Sequence, residues 1–151
     1  MTETIYIPSN GRQQPARPNR FIPPLLVLPF LAYNLIVFLF FAGNPLNWAA
    51  GLFALPMPSG TPWHISAGDF VLVVGIVCLF FEVLKSTRST RASIVEHMLS
   101  MGLFVVMLVE FLLVGAAASS VFFLLMVMSL IDVVAGFTVS ITSAQRDVSM
   151  G

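Results

Sequence analysis

Residues 94–114 read IVEHMLSMGLFVVMLVEFLLV, and residues 121–141 read VFFLLMVMSLIDVVAGFTVSI. Each stretch is close to the roughly 20 residues that a helix needs to cross a hydrocarbon core of about 30 Å. Only GAAASS, residues 115–120, separates them. Because lipid offers no hydrogen bonds to the backbone, a segment at that depth must be helical. The two stretches therefore predict a helical hairpin that crosses a membrane.

Two further apolar stretches precede this pair, at residues 21–42 and 66–85. They predict a second hairpin, so the expected fold is an all-α polytopic membrane protein with four transmembrane helices. The transmembrane domain is expected to cover residues 21–143, and residues 144–151 are expected to form a short tail. Residues 1–20 are rich in Pro, Asn and Gln and are expected to be disordered.

The composition excludes a water-soluble globular domain. Hydrophobic residues make up 58% of the chain and charged residues 9%, against about 45–50% and about 25% in soluble domains. Seven basic and seven acidic residues give no net charge, which argues against a nucleic-acid partner. The lone cysteine, Cys78, excludes an internal disulfide and a multi-thiolate metal site. We expect a non-enzymatic protein with no catalytic, cofactor-binding or metal-binding residues.

The basic residues predict the orientation. All seven precede the first stretch, lie between the second and third, or follow the fourth: Arg12, Arg17, Arg20, Lys85, Arg88, Arg91 and Arg146. The other two connections, 43–65 and 115–120, contain no Lys or Arg. Because basic residues accumulate on the cytoplasmic side, both termini are predicted to be cytoplasmic.

The external loop, residues 43–65, is expected to carry an interfacial helix over about 46–55. Asn44 followed by Pro45 is typical of a helix start, and Trp48 and Trp63 suit the membrane interface. A re-entrant half-helix is the alternative, since transporters place such segments at substrate sites.

The residues that lead into the second span permit two interpretations. His64, Ser66 and Asp69 are residue types found in hydrolytic sites. However, Ser66 and Asp69 have the spacing of a capping box just before an apolar run. We favour the helix start, which leaves His64 as a solvated loop residue.

Polar and small residues recur on one face of three spans, with intervals of three, four or seven. These seams are Ser129, Asp132, Gly136, Ser140 and Ser143 on the fourth span; Glu96, Ser100, Leu103, Met107 and Glu110 on the third; and Gly68, Gly75 and Glu82 on the second. Since lipid cannot satisfy polar groups, such seams are expected to face other helices.

The acids of these seams have two possible roles. In a relay, Asp132, Glu110 and the Glu96/His97 pair would pass protons or cations across the membrane. In a structural role, Asp132 and Glu110 would hold helices together as protonated or hydrogen-bonded groups. Asn34 and Tyr33 on the first span are the expected neutral partners of Asp132.

A second polar group is expected near the cytoplasmic boundary. It contains Glu82, Glu96, His97, Lys85, Arg88 and Arg91. Opposite charges at this depth predict interfacial ion pairs, with Glu82 and Glu96 close to Lys85 and Arg91.

Three motifs, at residues 55–60 (LPMPSG), 81–88 (FEVLKSTR) and 109–114 (VEFLLV), resemble those of uncharacterised small four-helix inner-membrane proteins of proteobacteria. The resemblance implies a bacterial cytoplasmic membrane and no particular activity. We expect an accessory or assembly subunit of a larger complex, or a small homo-oligomer, whose partners are the lipid bilayer and a membrane protein or a second copy. The alternative is a proton-coupled transporter or ion-conducting oligomer that uses Asp132 and Glu110.

Overall fold

The computed structural model describes residues 23–86 and 93–149, with backbone alone at residues 93, 94, 140 and 143–149. The prediction for the tail 1–20 and those for Arg88 and Arg91 lie outside the described residues. The chain forms α1 (Val27–Leu39), β1 (Gly51–Pro56), β2 (Pro62–Ser66), α2 (Ala67–Ser86), α3 (Ser93–Leu113) and α4 (Ser120–Ser149). Short 3₁₀ helices lie at Pro45–Ala49 and Gly115–Ala117.

Within residues 23–86 and 93–149, three helices are long and apolar enough to cross a membrane. The qualifying stretches are Ala67–Ser86, Val95–Leu113 and Ser120–Val139. Their starts and ends lie within about two residues of the spans predicted at 66–85, 94–114 and 121–141. α4 then continues to Ser149, so most of the predicted tail 144–151 is helical backbone.

The first predicted span is shorter than expected. α1 has 13 residues, about 20 Å of helix, whereas the prediction covered residues 21–42. Pro29 lies in its first turn, where a missing amide is tolerated. After its last turn, Ala42 and Gly43 adopt positive φ angles of 50° and 77°, and the Gly43 amide donates to the Val37 carbonyl at 2.8 Å. This left-handed turn ends the helix.

The expected interfacial helix over 46–55 is wrong beyond its first turn. Asn44 caps the 3₁₀ helix as predicted, accepting a hydrogen bond from the Leu46 amide at 3.0 Å. From Gly51 onward the chain is a strand that pairs antiparallel with β2. The Gly60 amide donates to the Met57 carbonyl at 2.9 Å and closes the turn. Pro58 at the second position and Gly60 at the fourth are typical of a type I turn.

α4 is the central helix of the bundle and packs against α1, α2 and α3. Gly68 on α2 lies against Val121, and Gly75 lies against Leu125 and Met128. Moving along the contact, higher residue numbers on α2 meet higher residue numbers on α4, so the two helices run parallel. α3 and α4 form an antiparallel hairpin.

An aromatic cluster fills the end of the bundle near the two 3₁₀ helices. The Tyr33 ring stacks on Trp48, with centroids 4.5 Å apart, and meets Phe122 edge to face at 4.9 Å. Trp48 is only 2% exposed, whereas Trp63 is 52% exposed. Trp48 is therefore a core residue, which corrects the prediction that both indoles lie at the membrane interface.

The predicted capping box at the start of α2 is confirmed. The Asp69 amide donates to Ser66 Oγ at 3.2 Å, and the Ser66 amide donates to Asp69 Oδ2 at 2.8 Å. The Ser66 hydroxyl also donates to the same carboxylate oxygen at 2.8 Å. Both residues thus serve the helix start, and His64 is exposed on β2 rather than in a loop.

Replacing Ser66 by alanine is expected to lower the free energy of unfolding by about 1 kcal/mol, because an amide at the helix start loses its acceptor. Thermal unfolding in detergent, followed by circular dichroism, measures the change. Ser59→Ala, in the hairpin turn, is the control and should leave the midpoint unchanged. Equal midpoints for the two variants would contradict this role of Ser66.

Candidate functional site

Six polar residues gather where α2 ends, α3 begins and α4 passes between them. We call them the polar end cluster: Glu82, Lys85, Glu96, His97, Ser100 and Asp132. Glu82, Asp132 and Ser100 are 5%, 6% and 7% exposed. Ionisable groups buried this deeply in an apolar bundle are costly unless they have partners.

Lys85 joins two carboxylates from different helices. Its Nζ lies 3.3 Å from Glu96 Oε2 and 3.6 Å from Glu82 Oε2. The ion pairs expected between Lys85 and these two acids are therefore present. Lys85 and Glu96 are each about a quarter exposed, whereas Glu82 is buried. The lysine thus links the end of α2 to the start of α3.

Glu82 also binds the start of α1. Its Oε1 accepts a hydrogen bond from the Leu25 amide at 2.5 Å. Leu25 precedes α1, where amides lack a partner within the helix. One buried carboxylate therefore contacts both α1 and the lysine on its own helix. This contact could not be predicted from the sequence, because a backbone amide leaves no signal in side-chain patterns.

Asp132 belongs to this cluster and does not meet its predicted partners. Its carboxylate interacts with the Ser100 side chain and, through charge, with His97 and Lys85. The expectation that Asn34 and Tyr33 are its neutral partners is wrong. Those two residues lie on the short α1, which reaches a different part of the bundle.

The α1 residues form a separate polar group. Tyr33 Oη lies 2.8 Å from the Ala116 carbonyl, to which it donates, and 2.7 Å from Ser119 Oγ. Asn34 donates to the Phe30 carbonyl at 3.3 Å and interacts with Glu110. Glu110 is ten residues from Ser100 along α3, which corresponds to about 15 Å. The structure therefore does not bring Glu110 and Asp132 together.

The predicted seams are buried faces of the helices. They include Gly68 and Gly75 on α2, Ser100, Leu103 and Met107 on α3, and Ser129, Asp132 and Gly136 on α4. The side chains of Ser140 and Ser143 lie outside the described part. Ser129 Oγ is buried and has no hydrogen-bond partner among the residues that the structure describes.

Gly136 explains how His97 reaches the cluster. The imidazole lies so close to Gly136 that a Cβ at this position would overlap the ring. The ring also stacks on Phe137, with centroids 6.4 Å apart. A glycine one turn beyond Asp132 thus makes room for a histidine at the α3–α4 contact.

The cluster can act in two ways. It can hold the start of α1, the end of α2 and the start of α3 against α4 through ion pairs and hydrogen bonds, and its buried carboxylates can bind and release protons. Comparison with protein-family models, with curated protein sequences and with solved structures gives no match for this chain.

Proposed function

We propose that this chain is a non-enzymatic integral membrane protein that serves as an accessory or assembly subunit of a larger membrane complex, or as a small homo-oligomer. In this proposal four segments cross a bacterial cytoplasmic membrane and both termini are cytoplasmic. The orientation rests on the distribution of basic residues. The subunit role rests on the outward surface of α3.

α3 contributes little of its surface to the chain's own core. Only 11% of its membrane-length stretch is buried, compared with 39% for α4. Its outward face carries residues at alternating intervals of four and three, which we call the outer α3 seam: Met98, Gly102, Val105, Val109 and Leu112. The four apolar side chains of this seam are 48–70% exposed.

The outer α3 seam has the composition of a helix contact. Among the residues that the structure describes, no atom outside the neighbouring backbone of α3 lies within 4 Å of the ideal Cβ position of Gly102, and two valines follow it on the same face. Small residues let helices approach closely within a membrane, and a repeat of four and three suits helices that cross at a shallow angle. By contrast, the exposed face of α2 carries Phe70, Phe80 and Phe81, which suit lipid. This difference between the outward faces of α3 and α2 is the main support for the subunit role.

Gly102→Leu tests the proposal. We expect about a tenfold loss of the associated fraction, measured by crosslinking in native membranes and by sizing in mild detergent, because the bulky side chain separates the helices. The matched control is Val73→Leu on the exposed face of α2, which should leave association unchanged. A strictly monomeric particle with no crosslinked partner would contradict the proposal, as would unchanged association of the Gly102 variant.

The alternative is a proton-coupled transporter or ion-conducting oligomer that uses Asp132 and Glu110. One observation favours it: the buried Asp132 interacts with His97 and Lys85, and Lys85 pairs with the partly exposed Glu96. Asp132→Asn and Glu110→Gln should then abolish proton flux into proteoliposomes that contain a pH-sensitive dye, while the fold survives. Structural carboxylates would tolerate both changes without any effect on flux.

A further inference from the structure

The β-hairpin has one apolar face that the described residues leave uncovered. Phe53 pairs with Ile65 and Leu55 pairs with Trp63. Because side chains alternate along a strand and paired residues share a face, these four lie on the same side. Phe53, Leu55 and Trp63 are 51%, 43% and 52% exposed.

The opposite face is less apolar. The pairs Ala54 with His64 and Pro56 with Pro62 alternate with the first two pairs. His64 is exposed, and residues 43–68 contain no Asp, Glu, Lys or Arg. The two strands therefore place two aromatic and two aliphatic side chains on one face and the imidazole of His64 on the other.

The position of the hairpin in the chain identifies what this face meets. β2 ends at Ser66, and α2 begins at Ala67 with no linker. The stretch of α2 that can cross a membrane starts at the same residue, and Phe70 in its first turn is 66% exposed. The hairpin thus lies at the boundary of the bilayer, where Trp is enriched.

We propose that the face formed by Phe53, Leu55, Trp63 and Ile65 inserts into the headgroup and upper acyl region of the leaflet at the N-terminal end of α2. The absence of formal charge removes the main cost of insertion, and apolar area drives binding at this depth. The outer edges of a two-stranded ribbon retain unpaired backbone groups, so the hairpin stays at the interface, where water is present. The inference rests on α2 crossing the membrane and is independent of the subunit role.

The two tryptophans of the chain allow a direct test, because one is exposed on this face and the other is buried. The purified full chain is placed in phosphatidylcholine vesicles whose lipids carry bromine at the upper acyl positions. We expect strong quenching of the wild-type fluorescence and loss of the quenched component in Trp63→Phe. Quenching of Trp63 by aqueous iodide, without quenching by the brominated lipid, would overturn the proposal.

Neighbouring positions on opposite faces provide a matched pair of variants. Leu55→Asn is expected to raise iodide quenching of Trp63 several-fold, because the polar side chain moves the face out of the lipid. Ala54→Asn, on the His64 side, should leave the quenching unchanged. Circular dichroism checks that both variants keep their helices. Equal effects of the two variants would overturn the proposal, and so would crosslinking of this face to a second protein chain.

Discussion

Replacement of Gly75 by leucine is expected to force α2 away from α4 and to lower the free energy of unfolding by about 3 kcal/mol, the upper end of the usual cost of overpacking. A Cβ at this position would already lie 2.8 Å from Leu125 Cδ2 and 3.0 Å from Met128 Sδ. Leucine adds three further carbon atoms to the same space. Thermal unfolding in detergent measures the loss.

Val73→Leu is the matched control for this prediction. Val73 is on the same helix, two residues before Gly75, but its side chain is 59% exposed. We expect this variant to unfold at the wild-type temperature, since the added carbon atom does not enter the contact between α2 and α4. A Gly75 variant as stable as the Val73 variant would contradict the packing of α2 on α4.

The second large effect is expected for Lys85→Met, which removes the positive charge but keeps an apolar stem. Breaking a buried ion pair costs about 3–5 kcal/mol when the remaining charge has no partner. Lys85 is about a quarter exposed, so we expect a loss of about 2 kcal/mol. The loss arises mainly from Glu82, which remains buried beside α1 without its cation.

The double variant Lys85→Met/Glu82→Gln separates charge from packing. Glutamine keeps an oxygen that can accept a hydrogen bond from the Leu25 amide, and it carries no charge. We therefore expect the double variant to recover at least half of the stability that the single variant loses, in the same unfolding measurement. A double variant less stable than the single one would contradict the view that the unpaired charge of Glu82 causes the loss of stability.

The sequence was sufficient to predict α2, α3 and α4, because lipid imposes length and helicity on any apolar stretch. It also predicted the buried face of α2, since Gly68, Gly75 and Glu82 recur at intervals of seven and a carboxylate finds no hydrogen-bond partner in lipid. The short α1 was not predicted, because its end depends on the positive φ angles of Ala42 and Gly43. Hydropathy alone does not report such a turn.

The β-hairpin is not predicted by the sequence pattern, because residues 51–56 (GLFALP) do not alternate between apolar and polar residues. The signal that predicts it is the turn, where Pro58 and Gly60 have type I spacing.

The contact between Asp132 and Ser100, by contrast, can be predicted from the sequence. In a helical hairpin of α3 and α4 centred near Ala116, Asp132 and Ser100 are both sixteen residues from the turn and therefore lie at the same depth. The Leu25 contact with Glu82 depends on the path of α1, which side-chain periodicity cannot supply.

If α2 crosses the membrane, the β-hairpin lies on one side of the bilayer and the polar end cluster lies near the other. Single cysteines at Ser59 and Ser86, in a Cys78→Ala background, mark these two regions. A membrane-impermeant maleimide applied to intact cells should label the cysteine at position 59 and should label that at position 86 only after permeabilisation. Labelling of both positions from the same side would contradict the crossing of the membrane by α2.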